Sequence, residues 1–370
     1  MKPRHFFLFA LLAAIGVGVG AYFSARQQKP AGQAPAPGAE ESSREEKQPT
    51  PNPRAQPALD FAQRLDAFLQ RLKSGRVSDA ELAAFRRELL AADPAQATSA
   101  ILAFLASGRD AATGRIFALR KGGELDAPTM RVLLMDALGQ IARRTKSDAA
   151  ATLARETLAA KDSADEWAIA LRNVAWADPQ ATAFLAGKMR EMLAWPPWRA
   201  EPSAGMFEAF DVIVFTKDAS FTADLADAQN DPNAQLRYAA SIALDRLAEQ
   251  SALNVMSYLN THPTLLGDHP MLRADYYAKA DLTQPAQKSA LEMYLGRPDV
   301  AVAEKAKLLS AMATPASFVS ENLLTPAPGP VDESSREHAI LSAAHEWLVA
   351  NRFPDLRLQI LELQRTLARE

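Results

Sequence analysis

Residues 59–72 read LDFAQRLDAFLQRL. Phe61, Leu65, Phe68, Leu69 and Leu72 recur with the period of an α-helix, so one stripe of a rod is apolar and the rest is polar. Ser74-Gly75 ends that rod. Ser78 and Glu81 then form a capping-box pattern, in which each side chain accepts an amide proton that the helix cannot satisfy internally. Leu82, Phe85 and Leu89 line the helix it opens. Asp93-Pro94 predicts another start, with aspartate as cap and proline in the first turn. Asp178-Pro179 and Asp231-Pro232 predict the same start, and Ser163 with Glu166 predicts a second capping box ahead of Trp167, Leu171 and Val174.

The same period continues downstream. It predicts helices near 203–216, 219–229, 233–249, 251–260, 285–295, 299–312, 315–324, 333–351 and 354–369. Gaps are mostly short, so neighbours are expected to pack antiparallel. No run reads as a strand. Residues 212–215 are the nearest to one, but Met206, Phe207, Phe210 and Val214 hold helical spacing, so this stretch reads as helix. Lys121-Gly122-Gly123 reads as a turn after a helix. The expected fold class is all-α.

Residues 231–244 (DPNAQLRYAASIAL) resemble the HEAT-repeat signature. Ala240 and Ala243 let two helices approach closely, Leu236 and Leu244 fill the flanks, Asp231 can cap, and Arg237 can reach the ends of a neighbouring pair. Weaker echoes place Arg131, Leu134, Ala137, Leu138 and Gly139, and then Lys305, Leu308, Ala311 and Met312, at matching offsets. Arg131, Arg237 and Lys305 stand 106 and 68 residues apart, neither a multiple of the roughly 40–47 residues of one repeat. The resemblance therefore implies degenerate repeats: an α-solenoid of antiparallel helix pairs over residues 59–370.

Two segments precede that domain. Residues 6–23 (FFLFALLAAIGVGVGAYF) are unbroken apolar sequence behind Lys2 and Arg4, near the ~20 residues that cross a hydrocarbon core. Residues 1–25 are expected to be a signal anchor or transmembrane helix, with a cleavable signal peptide cut near Val19-Gly20-Ala21 as the alternative. Residues 26–58 carry seven prolines and no large apolar side chain, which predicts a disordered linker. Lys2 and Arg4 keep the short leading end cytoplasmic, so the main domain is expected outside the cytoplasm, periplasmic where the envelope has two membranes, or secreted after cleavage.

Composition excludes several classes. The chain has 370 residues, 41 basic and 44 acidic, and no cysteine. A near-balanced charge argues against nucleic acid, and the missing cysteine rules out disulfides, thiol nucleophiles and iron–sulfur sites. No phosphate-cradling loop, dinucleotide fingerprint or nucleophile elbow occurs. His345-Glu346 begins like a zinc-protease helix, but Val349 stands where the second histidine belongs. His338 with His345, and His262 with His269 and Asp268, read as ordinary surface. No catalytic, cofactor-binding or metal residue is expected. Acid pairs such as Asp224 and Asp227 read as helix-dipole partners.

What remains is aromatic. Trp195-Pro196-Pro197-Trp198 places two indoles on a rigid turn, either as a patch for a partner or as a plug between helix pairs. Tyr276 and Tyr277 suggest a groove wall. Trp195, Trp198, Tyr276 and Tyr277 are thus the candidate partner-binding residues. The function expected is a membrane-tethered, extracytoplasmic scaffold for protein–protein interaction. The alternatives are an exported helical toroid acting on polysaccharide and an envelope assembly factor.

Overall fold

Short polar side chains (Asp60, Ser78, Asp93, Thr129, Ser163, Ser203, Asn233 and Asp332) cap eight of the helix starts among the described residues. The computed structural model describes residues 60–120, 122–313, 322–326 and 332–368. The segments read as anchor (1–25) and linker (26–58) lie outside the described residues. No helix among the described residues is long and apolar enough to cross a membrane.

The chain opens with α1 (Phe61–Lys73), α2 (Asp79–Ala91) and α3 (Pro94–Ala106). Asp60 with Gln63, and Ser78 with Glu81, form complete capping boxes, while Asp93 caps α3 ahead of Pro94. A hairpin follows, β1 (Ala118–Arg120) and β2 (Glu124–Asp126), antiparallel with Leu119 opposite Leu125. This corrects the expectation of no strand. Gly122 and Gly123 take φ of 91° and 78°, so they make the hairpin turn and do not end a helix. Strands of three residues are too short for an alternating pattern to be legible.

Next come α4 (Met130–Thr145), α5 (Ala149–Thr157), α6 (Ala164–Ala177), α7 (Thr182–Ala194), the short α8 (Pro196–Ala200) and α9 (Ala204–Thr216). Residues 212–215 are helical within α9, as their spacing predicts. The chain continues through α10 (Phe221–Ala228), α11 (Ala234–Gln250), α12 (Ala252–Thr261), α13 (Pro270–Tyr277), α14 (Pro285–Leu295) and α15 (Val302–Ala313). It closes with α16 (Glu333–Val349), a 3-10 turn at Pro354–Leu356 and α17 (Arg357–Leu367). Of the helix expected at 315–324, residues 315–321 lie outside the described residues, and Leu323 and Leu324 form a bend.

Four local expectations need correction. Asp178 accepts from the amide of Gln180, and α7 begins only at Thr182. Asp231 accepts from the amide of Asn233, and Asn233 is the residue that caps α11. Ser163 does cap α6, but Glu166 does not reach back; its carboxylate is held by Arg131 at 2.7 Å. Arg237 turns to the carbonyls of Asp231 and Pro232 in its own loop, not to a neighbouring pair.

Packing follows chain order. Helices α2, α4, α6, α9, α11, α13, α15 and α17 form a row in which each packs on the next. Helices α5, α7, α10, α12 and α16 flank it, each beside its row neighbour, and α14 packs on α12. Burial distinguishes the two kinds. In α4, eleven of sixteen residues are buried, against five of thirteen on the single stripe of α1. A helix covered on several sides must carry apolar residues nearly all round.

Close approach is bought with glycine at two interfaces. A Cβ on Gly139 would lie 2.1 Å from Asn173 Oδ1, and one on Gly205 would lie 2.8 Å from the Cα of Asp165. Gly205 donates its amide to Asp165 Oδ1 at 2.9 Å, which ties the start of α9 to α6.

Candidate functional site

The row carries ionised groups in its interior. Asp136 on α4 is fully buried and lies between Arg86 of α2, at 3.0 Å, and Arg172 of α6, at 2.7 Å. Gln140 donates to the same carboxylate. Asp211 on α9 pairs with Arg246 on α11 at 2.7 Å. Lys279, just past α13, reaches Asp245 and Glu249 of α11, both at 3.0 Å. Arg273 on α13 binds Glu304 on α15 through both carboxylate oxygens. With Asp165 joining α6 to α9, each step from α2 to α15 has a polar tie. Removing one partner would strand a charge in low dielectric, so each tie opposes loss of the contact it bridges. They are not perfect: the Nε groups of Arg86, Arg172 and Arg246 are buried without a hydrogen-bond partner among the described residues. Burial pushes the Arg172 guanidinium below its ordinary range despite Asp136 beside it.

Asp211 has a second task. Its carboxylate accepts from the amides of Leu324 and Thr325 at 2.6 and 2.8 Å, and from the Thr325 hydroxyl. The segment Asn322–Pro326 is thereby fastened to α9, more than a hundred residues earlier in the chain. The hairpin also reaches α9 through β1. One turn before Asp211 stands Glu208, half-buried and with no hydrogen-bond or ion-pair partner among the described residues. Burial, and then the charge of Asp211, raise its carboxyl to about 7. Paired carboxylates one helical turn apart can serve acid–base chemistry. Here Asp211 is saturated by its donors, so neither of its oxygens is free to act on a substrate.

The four aromatic candidates separate. Trp198 is 9% exposed and meets Trp167 edge-on, with ring centroids 5.2 Å apart. Trp195 is half-buried against the core, and the Lys161 ammonium lies 4.5 Å from its ring centre. Tyr276 is buried and its hydroxyl accepts from Gln229 at 3.0 Å. Tyr277 stacks on Tyr294 at 3.8 Å and donates to Asn260 at 2.7 Å. Burial raises both tyrosine hydroxyls above their usual range. Tyr276 and Tyr277 are therefore core residues, Trp198 plugs the junction of α6 and α8, and only Trp195 presents an accessible indole edge. Two adjacent tyrosines at the end of a short helix point to different sides, and their spacing does not say which sides the rest of the chain covers.

A tryptophan that the sequence did not single out lines a cleft. Trp176, near the end of α6, has the Arg172 guanidinium 4.0 Å from its ring centre and that of Arg143 at 5.1 Å. The cleft, about 190 Å³, opens between the ends of α4 and α6 and the start of α5. Arg143, Lys146, Asp148, Asn173 and Trp176 give it its polar and aromatic lining, and Gly139 its depth. Asn173 is held by donating Nδ2–H to the carbonyl of Met135 at 3.0 Å and accepting from Arg172. Among the described residues, no cluster of three or more His, Asp or Glu could hold a metal ion.

No protein-family model matches the chain, no curated protein matches it in sequence, and no solved structure matches its fold. The function must therefore be argued from these features.

Proposed function

We propose that residues 59–370 are a degenerate HEAT-like α-solenoid serving as a protein-interaction scaffold in the cell envelope. On this reading residues 6–23 anchor the chain in a membrane and residues 26–58 hold the helical domain away from it. The observation that carries the reading is the serial order of packing: each row helix contacts the one before and the one after, and the polar ties repeat at each step from α2 to α15. Such one-dimensional stacks offer long surfaces to partners. The apolar run, the proline-rich stretch and the lack of catalytic motifs in the sequence support the tether and the scaffold role.

The test is in-cell cross-linking followed by capture of the full chain from detergent-solubilised membranes. A reproducible cross-linked partner, with the chain resisting alkaline carbonate extraction, is the expected result. A chain released by carbonate with its N-terminus intact would overturn the anchor. Capture without any reproducible cross-link would overturn the scaffold role.

A further inference from the structure

Two cations at the cleft between α4, α5 and α6 form no ion pair among the described residues. Arg143 stands in the last turn of α4 and Lys146, in the left-handed conformation, caps its end; both line the cleft. Neither side chain has a hydrogen-bond or ion-pair partner among the described residues. Arg86, Arg172, Arg246 and Arg273, buried in the row, are answered by carboxylates, whereas these two cations are exposed at its surface. Arg143 is nonetheless positioned, because the Trp176 ring lies beneath its guanidinium. Trp176 is itself positioned, because Arg172 packs on it and is clamped to Asp136. The cations therefore stand over a pre-formed floor.

Charge and size narrow the ligand. Asp148 shares the lining, so the ionised groups sum to one excess positive charge. That balance suits a monoanion and disfavours a doubly charged phosphate. The volume, about 190 Å³, is below the roughly 300–1,000 Å³ of pockets that enclose a whole small molecule. It suits one side chain of a longer ligand. Ala142, Ala150 and Ala177 on the rim would contact its methylenes.

We infer that this cleft is an anchoring site for an acidic peptide segment, seating one carboxylate side chain between Arg143 and Lys146 beside the Trp176 indole. The inference rests on the scaffold reading and names the chemistry of the partner. A guanidinium binds a carboxylate through paired N–H donors, and the ammonium adds a second, mobile donor. Asn173 is engaged with its neighbours and serves as floor.

The experiment is fluorescence anisotropy with the full chain in non-ionic detergent and a dye-labelled twelve-residue peptide of alternating glutamate and alanine. The same peptide with glutamine for glutamate is the control. The glutamate peptide should bind and the glutamine peptide should not. Arg143→Ala and Lys146→Ala should each weaken binding by about three- to tenfold, and the double variant by more. Asp148→Asn should tighten it two- to threefold. Lys73→Ala, which removes an exposed cation far along the chain, should change nothing. All these side chains are at the surface, and unchanged melting curves would confirm folding. Acetate should compete as well as inorganic phosphate at equal ionic strength. Equal binding of both peptides, no binding, stronger competition by phosphate, or indifference to the double variant would each overturn the inference. A cross-linked partner retained by the double variant would leave the scaffold role standing and remove this cleft from it.

Discussion

Arg172 and Arg143 pack on the same indole, and they are cations in opposite settings. Arg172 is 2% exposed and its guanidinium lies 2.7 Å from the carboxylate of Asp136. Arg143 is exposed and pairs with no acid among the described residues. The contrast teaches how this domain spends its cations. A buried guanidinium must have a counter-ion, because low dielectric penalises it strongly. A solvated one needs none and is free for a ligand.

The sharpest way to break that contrast is Asp136→Ala. It leaves Arg86 and Arg172 buried beside each other, and should destabilise the domain by about 3–5 kcal/mol in urea or thermal unfolding. A loss below about 1 kcal/mol would mean that water reaches the pair. Gly139→Ala comes next. The new Cβ displaces Asn173 and breaks its bond to Met135, so a cost of up to about 3 kcal/mol is expected, with the cleft distorted.

Glu208 extends the comparison to acids. Its carboxyl is raised to about 7 in the folded chain by burial and by Asp211, against an ordinary value near 4.5. The neutral form is therefore the favoured one when folded. Its contribution is fully present below the ordinary value and is lost as pH rises through about 7. Stability should fall by on the order of 2 kcal/mol across that range, and Glu208→Gln should flatten the profile. A Gln variant with the same pH dependence would place the titration elsewhere. The smallest effect belongs to Arg143→Ala, expected to change stability by less than about 0.5 kcal/mol even as peptide binding weakens. A large stability loss there would make Arg143 structural and blur the distinction from Arg172.

Legibility tracked distance along the chain. Ser78 with Glu81 and Asp93 with Pro94 were readable because cap and helix are adjacent. Ser163 with Glu166 looked the same, yet Glu166 is taken by Arg131, 35 residues away, which local spacing cannot reveal. Asp136 did leave a signal: it is an acid inside the apolar run of residues 132–138, where only a buried partner makes it tolerable. Which partner was hidden, since Arg86 and Arg172 stand 50 and 36 residues away. The same holds for Tyr276 and Tyr277, whose cover comes from Gln229, Asn260 and Tyr294.

By itself, then, the order of residues determined that the described part of this chain is helical, because helix period and end caps are satisfied within a few residues of each other. Only tertiary structure decided which charges are spent on holding helices together and which stay available. Burial depends on what the rest of the chain lays over a side chain. Asp136 is covered by α2 and α6, while Arg143 stands at the open end of the same helix.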